Sequence, residues 1–275
     1  MDDTMALLAI DTATTTLSLA LGDRAGHVLA AWTTRVARMH ATLLNPLIDE
    51  MLAALNMDLS DLEGVIAGVG PGSYTGVRIG VTAAKTLAFA LGIPVLPVSS
   101  LAAAAYSLRC CTGLVVPVWD ARRGAVYTAV YRSQHGHFSQ LAADARRDLA
   151  AFGETLSTIA DDGETVYLLG DSALQAQREW QEQSGLTRII VYGETTEVRA
   201  EDLFALGCER FAQRLPGREE GSHGENANAL VPRYLQLAEA EARWLQKERG
   251  SEDDGPERTI ISPDDRSGHR SCHAD

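Results

Sequence analysis

Residues 64–80 read GVIAGVGPGSYTGVRIG, in which an apolar segment passes through a glycine-rich turn into a helical pattern. The run from Gly64 to Gly70 has the length and composition of a buried strand. Pro71-Gly72-Ser73 then predicts a turn, and a helix is expected from about residue 74 to 91, with Gly92 as its end signal. A buried strand joined to a helix in this way is typical of α/β folds.

The segments on either side predict two halves with the same rhythm. Strands are expected at about 6–12, 17–21 and 28–34, a helix at 41–55, and, after the helix at 74–91, a strand at 94–98 and a helix at 100–109. In the second half we predict a strand hairpin at 115–119 and 125–131, strands at 165–169 and 188–192, and helices at 172–183, 199–214 and 234–247. Both halves place strands first and then alternate helices with strands, which indicates an internal duplication.

We therefore expect an N-terminal domain at 1–104, a C-terminal domain at 105–248 and a tail at 249–275. The last helix could return to pack on the first domain. The tail is polar, with one short Ile260-Ile261 pair, so it offers too little apolar surface to offset its chain entropy and is predicted to be disordered.

Composition limits the classes of function. The chain has 275 residues, 45% of them hydrophobic, and a formal net charge of −13. Nonspecific nucleic-acid binding depends on clustered Lys and Arg, whereas the arginines here are dispersed, so most basic surface for any RNA should come from a partner. A local contact patch stays compatible with the charge. No apolar run approaches the ~20 residues of a membrane helix. The four cysteines lack a C-x-x-C spacing, so reduced thiols and a cytosolic location are expected.

The glycine-rich turn at 70–76 allows three interpretations. Backbone N–H groups at a helix N-terminus can bind an anion. Alternatively, the glycines serve only a tight turn and close helix packing. A third reading is that the small-residue face of the helix meets another protein. The spacing fits neither a P-loop nor the dinucleotide-binding fingerprint.

Two strand ends carry a weaker nucleotide-binding signal. Asp11, Thr12 and Thr14 follow the first strand, and Asp120, Arg123 and Gly124 form the corresponding turn of the second half. Proteins of the sugar kinase, Hsp70 and actin superfamily hold nucleotide phosphates with acidic, glycine-containing hairpins at these points. Here Ala13 stands where a glycine would let the backbone approach a phosphate, so a capped turn is an equal alternative.

Catalytic and metal patterns are not visible in the sequence. His40 has Leu44 rather than a second histidine four residues later, and His135-x-His137 lies beside glycine in a predicted loop. Ser73 lacks the G-x-S-x-G elbow of a nucleophilic serine. We predict no catalytic residue and no metal site.

Several segments together resemble the TsaB (YeaZ) family: LAIDT at 8–12, GVGPGSYTGVRIG at 68–80, Ala84-Lys85 and VWDARRGAVY at 118–127. The similarity is good over about residues 6–135, looser to about 245 and absent in the tail. It implies an α/β fold of the two-domain sugar kinase, Hsp70 and actin (ASKHA) type, each domain a mixed sheet flanked by helices.

The resemblance also implies a function. TsaB-like chains are non-catalytic subunits that bind the catalytic paralogue TsaD and, with TsaE, support threonylcarbamoylation of the tRNA adenosine next to the anticodon. The chain should need no cofactor of its own, ATP or ADP acting at the level of the complex, and tRNA should be contacted mainly through the complex. The runner-up function is a nucleotide-binding switch or ATPase of the superfamily.

The family's interface is a bundle of the first two helices of each partner, and lone chains often form homodimers through the same surface. Transferred to this sequence, the predicted interface comprises Leu44, Leu47, Ile48, Met51, Tyr74, Val77, Arg78, Gly80, Val81, Ala84, Lys85 and Ala88. TsaD uses a His-x-x-x-His metal pair that this chain lacks, in agreement with the absence of a visible catalytic centre.

Overall fold

The computed structural model describes residues 6–35, 39–214 and 229–235. The strands are β1 (Ala6–Asp11), β2 (Thr16–Asp23), β3 (Val28–Arg35), β4 (Leu62–Gly68), β5 (Val95–Val98), β6 (Gly113–Asp120), β7 (Ala125–Gln134), β8 (His137–Asp148), β9 (Val166–Leu169) and β10 (Ile189–Gly193). The helices are α1 (His40–Ala54), α2 (Tyr74–Leu91), α3 (Ser100–Tyr106), α4 (Leu149–Ile159), α5 (Ala173–Gln183) and α6 (Ala200–Arg214), with a short 3₁₀ turn at Leu59–Asp61.

The strands form two five-stranded sheets of equal topology. The first has the order β3-β2-β1-β4-β5 and the second β10-β9-β6-β7-β8, which is the same order reversed. In each sheet three consecutive strands pair antiparallel, and the first of them also pairs in parallel with the fourth, which pairs in parallel with the fifth. The predicted duplication and the predicted two-part α/β fold are confirmed.

Three apolar cores separate the layers. Helices α1 and α2 cover the outer face of the first sheet, and α4 and α5 cover the outer face of the second. A central core lies between the sheets and contains α3 and α6. Because successive strand residues point to opposite faces, Leu8 and Ile10 contribute to the outer core while Leu7 and Ala9 contribute to the central one.

The two halves exchange helices in the central core. Helix α3, from the first half, packs against β6 and β7, while α6, from the second half, packs against the first sheet. Glycines on the first sheet make room for the aromatic rings of α6: a Cβ on Gly22 would lie 2.3 Å from Phe204, and one on Gly64 would lie 2.3 Å from Phe211. A helix that the sequence placed in the domain at 105–248 therefore completes the core of the first sheet.

The sequence missed two elements, β8 and α4. The predicted helix at 234–247 lies outside the described residues beyond position 235, as does the predicted tail at 249–275. None of the helices in the described ranges combines the length and the apolar character needed to cross a membrane.

Candidate functional site

The glycine-rich turn before α2 is closed by the turn after β1. The Ser73 N–H donates to the Ala13 carbonyl oxygen at 2.7 Å. A Cβ on Gly72 would lie 2.2 Å from that same oxygen, so only glycine permits this approach. Ser73 then caps α2, since its hydroxyl oxygen accepts from the Gly76 N–H. These contacts favour the tight-turn interpretation, because two of the N–H groups that could hold an anion, those of Ser73 and Gly76, bond to the protein itself.

Asp11 is buried at the end of β1. Its Oδ2 accepts from the Ser100 hydroxyl at 2.5 Å, and its Oδ1 accepts from the Ala13 N–H at 2.9 Å. Burial raises the pKa of the Asp11 carboxyl to about 6, although the hydrogen bonds from Ser100 and Ala13 and the charge of His40 oppose this shift. The carboxylate thus has internal partners and does not face solvent.

The neighbouring threonines also bond inward. The Thr12 hydroxyl donates to the Gly76 carbonyl oxygen of α2 at 2.7 Å. The Thr14 hydroxyl lies 2.8 Å from that of Thr16. A ring nitrogen of His40 lies 3.0 Å from the Thr14 carbonyl oxygen, so the N-terminus of α1 is tied to this turn as well.

The second predicted nucleotide-binding group lies on a different hairpin and is exposed. Asp120, Arg123 and Gly124 surround the turn between β6 and β7. The Asp120 Oδ1 accepts from the Arg122 N–H at 2.7 Å, and the Asp120 N–H donates to Asp171 Oδ1 at 2.8 Å. One group is therefore sealed and the other open, and nucleotide binding by these six residues stays a prediction.

Most of the residues predicted for the partner interface face inward. Eight of the twelve are buried on the side of α1 and α2 that faces the first sheet: Leu44, Ile48, Met51, Val77, Gly80, Val81, Ala84 and Ala88. Their helical spacing marks the face that covers the chain's own sheet. A Cβ on Gly80 would lie 2.4 Å from the Thr12 hydroxyl, which shows how closely α2 approaches β1. These eight therefore do not form the outward surface of α1 and α2, and the partner interface itself stays a prediction.

The other four predicted interface residues reach the surface. Tyr74 and Arg78 are exposed, and Leu47 and Lys85 are half-buried. The Arg78 guanidinium lies over the Tyr74 ring, 5.4 Å from its centroid, and donates to the Tyr74 hydroxyl at 3.2 Å. The outward face of α1 and α2 is therefore available, and its use by a partner stays a prediction.

A segment near the C-terminus, residues 229–235, completes this surface and was missed as a site element. Leu230 is buried in the outer core, and its carbonyl oxygen accepts from Lys85 Nζ at 3.2 Å. The Tyr234 ring stacks on Tyr74 with 4.8 Å between centroids. In the sequence, only the looser family resemblance that extends to about residue 245 pointed to this segment.

Arg233 connects this segment to both sheets. Its N–H donates to the Val69 carbonyl oxygen beyond β4 at 2.8 Å. Its guanidinium pairs at 2.6 Å with Asp144 of β8, whose side chain is 0% exposed. Tyr131 and Gln140 donate to the other oxygen of Asp144. A small pocket of about 30 Å³, room for one or two waters, lies between this segment and the hairpin residue Tyr127.

No cluster of three or more histidine, cysteine, aspartate or glutamate side chains suited to a metal ion occurs within the described ranges.

Comparison with known proteins identifies the family of the chain. The family model for TsaD, tRNA N6-adenosine threonylcarbamoyltransferase, matches residues 33–244. The tRNA threonylcarbamoyladenosine biosynthesis protein TsaB of Bacillus subtilis (strain 168) is 38% identical over 245 residues, 89% of this chain and 100% of that protein. The TsaB protein of Escherichia coli (strain K12) is 32% identical over 213 residues, 76% of this chain and 88% of that protein.

A solved structure agrees with these sequence relatives. YeaZ from Pseudomonas aeruginosa superposes with a TM-score of 0.67 at 29% identity, covering 84% of this chain and 99% of that one. The chain carries a TsaD-like domain and belongs to the TsaB (YeaZ) family.

Proposed function

We propose that this chain works in tRNA threonylcarbamoyladenosine biosynthesis as a non-catalytic subunit that binds the catalytic paralogue TsaD, together with TsaE. The names of the full-length relatives support the pathway. The chain contributes a binding surface and no cofactor of its own, and ATP or ADP acts at the level of the complex. When the chain is alone, the same surface pairs two copies.

The observation that carries this proposal is the incompletely covered apolar surface of α1 and α2. Leu43 and Leu47 on α1, and Ile79, Ala83 and Leu87 on α2, recur every four residues and are only partly buried. Residues at that spacing form one stripe along a helix. Such half-exposed stripes on two neighbouring helices suit packing against a second helix pair.

Exposed aromatic side chains occupy another part of the outward face of α2. Phe89, near the end of α2, is 67% exposed, and Tyr74 at the start of α2 stacks on exposed Tyr234. Large exposed apolar groups on a helix that also carries a half-covered apolar stripe are characteristic of protein interfaces. Inward-facing residues such as Ala84 support this face from beneath, so Ala84→Arg would test the stability of the monomer rather than its binding.

The test replaces an exposed residue so that the monomer keeps its core. Phe89→Lys places a charge in the predicted interface, and lysine in the last turn of a helix is compatible with the helix dipole. Tyr192→Lys is the matched control, because Tyr192 is an aromatic residue 63% exposed on β10 of the second sheet. We expect Phe89→Lys to reduce co-elution with TsaD and the yield of modified tRNA by about tenfold or more.

Reconstitution with each protein omitted in turn gives the second readout. With TsaD, TsaE, the enzyme that makes the threonylcarbamoyl adenylate, and tRNA, omission of this chain should abolish modification. Full modification without it would reject the proposed role. Unchanged co-elution and modification with Phe89→Lys would reject the location of the interface.

A further inference from the structure

The turn between β6 and β7 carries an exposed group of arginines that the proposed interface does not use. We call Arg122, Arg123 and Arg146 the arginine hairpin; all three are exposed. Arg122 and Arg123 occupy adjacent positions in the turn, and an Arg146 guanidinium nitrogen donates to the Arg122 carbonyl oxygen at 3.1 Å. This bond holds the third arginine against the first two.

Six of the eleven arginines outside the hairpin whose side chains the structure describes have carboxylate partners. The pairs are Arg24–Glu63, Arg35–Glu197, Arg109–Asp202, Arg132–Glu164, Arg199–Glu201 and Arg233–Asp144. In a chain with 37 acidic and 24 basic residues, such pairing is the expected state of an arginine. Within the described ranges, however, the guanidinium groups of Arg122 and Arg146 form no ion pair.

The carboxylates near the arginine hairpin bond backbone N–H groups instead. Asp120 accepts from the Arg122 N–H, and Asp171 accepts from the Asp120 N–H. Asp148, at the end of β8, caps α4 by accepting from the Ala151 N–H at 3.0 Å. These acids shape the turn and the helix start, and within the described ranges none of them pairs with the guanidinium group of Arg122 or Arg146.

The backbone of the turn fixes where the arginines are presented. Arg122 and Arg123 adopt φ values of 62° and 59°, a left-handed conformation that is uncommon for residues other than glycine. The Leu149 N–H donates to the Gly124 carbonyl oxygen at 3.0 Å, which anchors the tip to the start of α4. A strained turn held from two sides keeps its shape in solution better than a free loop does.

The arginine hairpin lies next to the surface proposed for the partner. Arg146 is directly opposite Tyr127 in the β7–β8 pairing, so the two side chains share a face of the second sheet. Tyr127 lines the same small pocket as Tyr74 and Tyr234. A nucleic acid held by a protein docked on α1 and α2 could therefore reach the arginine hairpin without a change in the fold.

We propose that the arginine hairpin binds backbone phosphates of the tRNA substrate. Guanidinium groups match phosphate oxygens in geometry and charge, and exposed arginines beside a tyrosine ring suit the RNA backbone. This inference rests on the proposed role in tRNA modification. It assigns to this chain a share of tRNA binding that its net charge of −13 conceals.

The experiment compares two double variants with equal loss of charge. Arg122→Asn with Arg146→Gln removes two guanidinium groups from the hairpin, and asparagine tolerates the left-handed backbone at position 122. Arg178→Gln with Arg188→Gln removes two exposed arginines from α5 and the segment before β10. Affinity for labelled tRNA is measured by fluorescence anisotropy over a salt series, with the full chain alone and mixed with TsaD.

The hairpin variant should bind tRNA about tenfold more weakly than wild type, and the control should bind like wild type. The slope of log affinity against log salt should fall in magnitude by about 1.4, which is two contacts at about 0.7 each on single-stranded RNA. Equal affinity and slope for both variants would overturn the inference. So would an unchanged tRNA affinity together with lost binding of ATP or of TsaE, since the hairpin would then serve a free nucleotide or a protein.

The two proposals fail differently. If the chain is dispensable for modification, the proposed function is wrong. If the chain is required and both double variants bind tRNA equally, the proposed function stands and the arginine hairpin has no part in it.

Discussion

The two halves share one strand order but differ at the turn after their first strand. In the first half this turn is sealed: Asp11 is buried, and Thr12 and Ala13 bond to α2 and the residue that caps it. In the second half the equivalent turn is open, with Asp120 exposed and two arginines in a left-handed conformation. The N-terminus of α2 closes the first turn.

The same strand order therefore carries a sealed turn in one half and an open turn in the other. The sealed turn joins β1, α2 and α3 into a rigid support beneath the proposed partner surface. The open turn keeps its charged groups in water, where a ligand can reach them. The following predictions test that contrast, from the largest expected effect to the smallest.

Gly76→Ala should be the most damaging change at the sealed turn. A Cβ at this position would lie 2.2 Å from the Thr12 carbonyl oxygen, a backbone atom that cannot move without shifting β1. The usual gain of alanine over glycine in a helix, about 1 kcal/mol, is therefore overwhelmed. We expect a loss of about 4 kcal/mol or more in the free energy of unfolding, measured by urea denaturation. A variant as stable as wild type would show that the turn is not tightly closed.

Asp11→Asn should change how stability depends on pH. The carboxyl has a pKa of about 6 in the folded protein against an ordinary value of 3.8, so folding favours its protonated form. The protonated carboxyl therefore contributes about 3 kcal/mol to the free energy of unfolding below about pH 4. This contribution is lost as the pH rises through 6. Relative to wild type, Asp11→Asn should therefore gain unfolding free energy between about pH 4 and about pH 7.

The exposed counterpart, Asp120→Asn, is the control for this measurement. It removes the exposed carboxyl of the corresponding turn and leaves Asp11 in place. If the difference in unfolding free energy between Asp11→Asn and wild type does not change between about pH 4 and about pH 7, the carboxyl of Asp11 is not sealed from water.

Arg233→Met tests the connection between the two halves. It leaves the buried Asp144 carboxylate with only the Tyr131 and Gln140 donors. Because Arg233 is itself 49% exposed, we expect a loss of about 2 kcal/mol, less than for a fully buried pair. Arg35→Met breaks the more exposed pair with Glu197 and should cost under about 1 kcal/mol. Equal costs for the two variants in denaturant melts would show that the Arg233 pair does not join the halves.

The smallest effects are expected at the open turn. A Cβ on Gly124 meets no atom, but its φ of 71° disfavours alanine, so Gly124→Ala should cost only about 1 kcal/mol. Arg122→Gly should act in the opposite direction and stabilise the protein slightly, since glycine relieves the left-handed backbone at φ 62°. Thermal melts of the two variants measure both changes in stability. A loss at Gly124 as large as that at Gly76 would erase the contrast between the turns.

Hydrophobic periodicity was sufficient to predict most of the fold. It identified every strand and α-helix of the first half in the correct order, because these elements have clear apolar faces, and it missed only the short 3₁₀ turn at Leu59–Asp61. It missed β8, an edge strand of largely exposed residues whose sequence from His137 to Asp148 contains no β-branched residue. It also missed α4, where Gly153 interrupts the helical pattern and leaves room for the Trp180 ring, 2.6 Å from a hypothetical Cβ.

The site was predicted less well for a physical reason. Periodicity marks the apolar face of a helix but does not say whether the chain's own sheet or another protein covers it. Val81, Ala84 and Ala88 have the small apolar character of an interface, yet they cover β1 and β4. Phe89, which is exposed, directly follows Ala88 and does not belong to this inward-facing pattern. The contact of Tyr74 with Tyr234 joins residues 160 positions apart, which no local pattern can reveal.

The exchange of α3 and α6 between the halves has a consequence for biosynthesis. When the first 110 residues have emerged from the ribosome, every strand of the first sheet has been synthesised. Phe204 and Phe211, which pack on the inner face of that sheet, have not yet been synthesised. The apolar inner face of the first sheet therefore stays exposed until nearly a hundred further residues have emerged. Truncated chains that end between the sheets should accordingly depend on chaperones or precipitate.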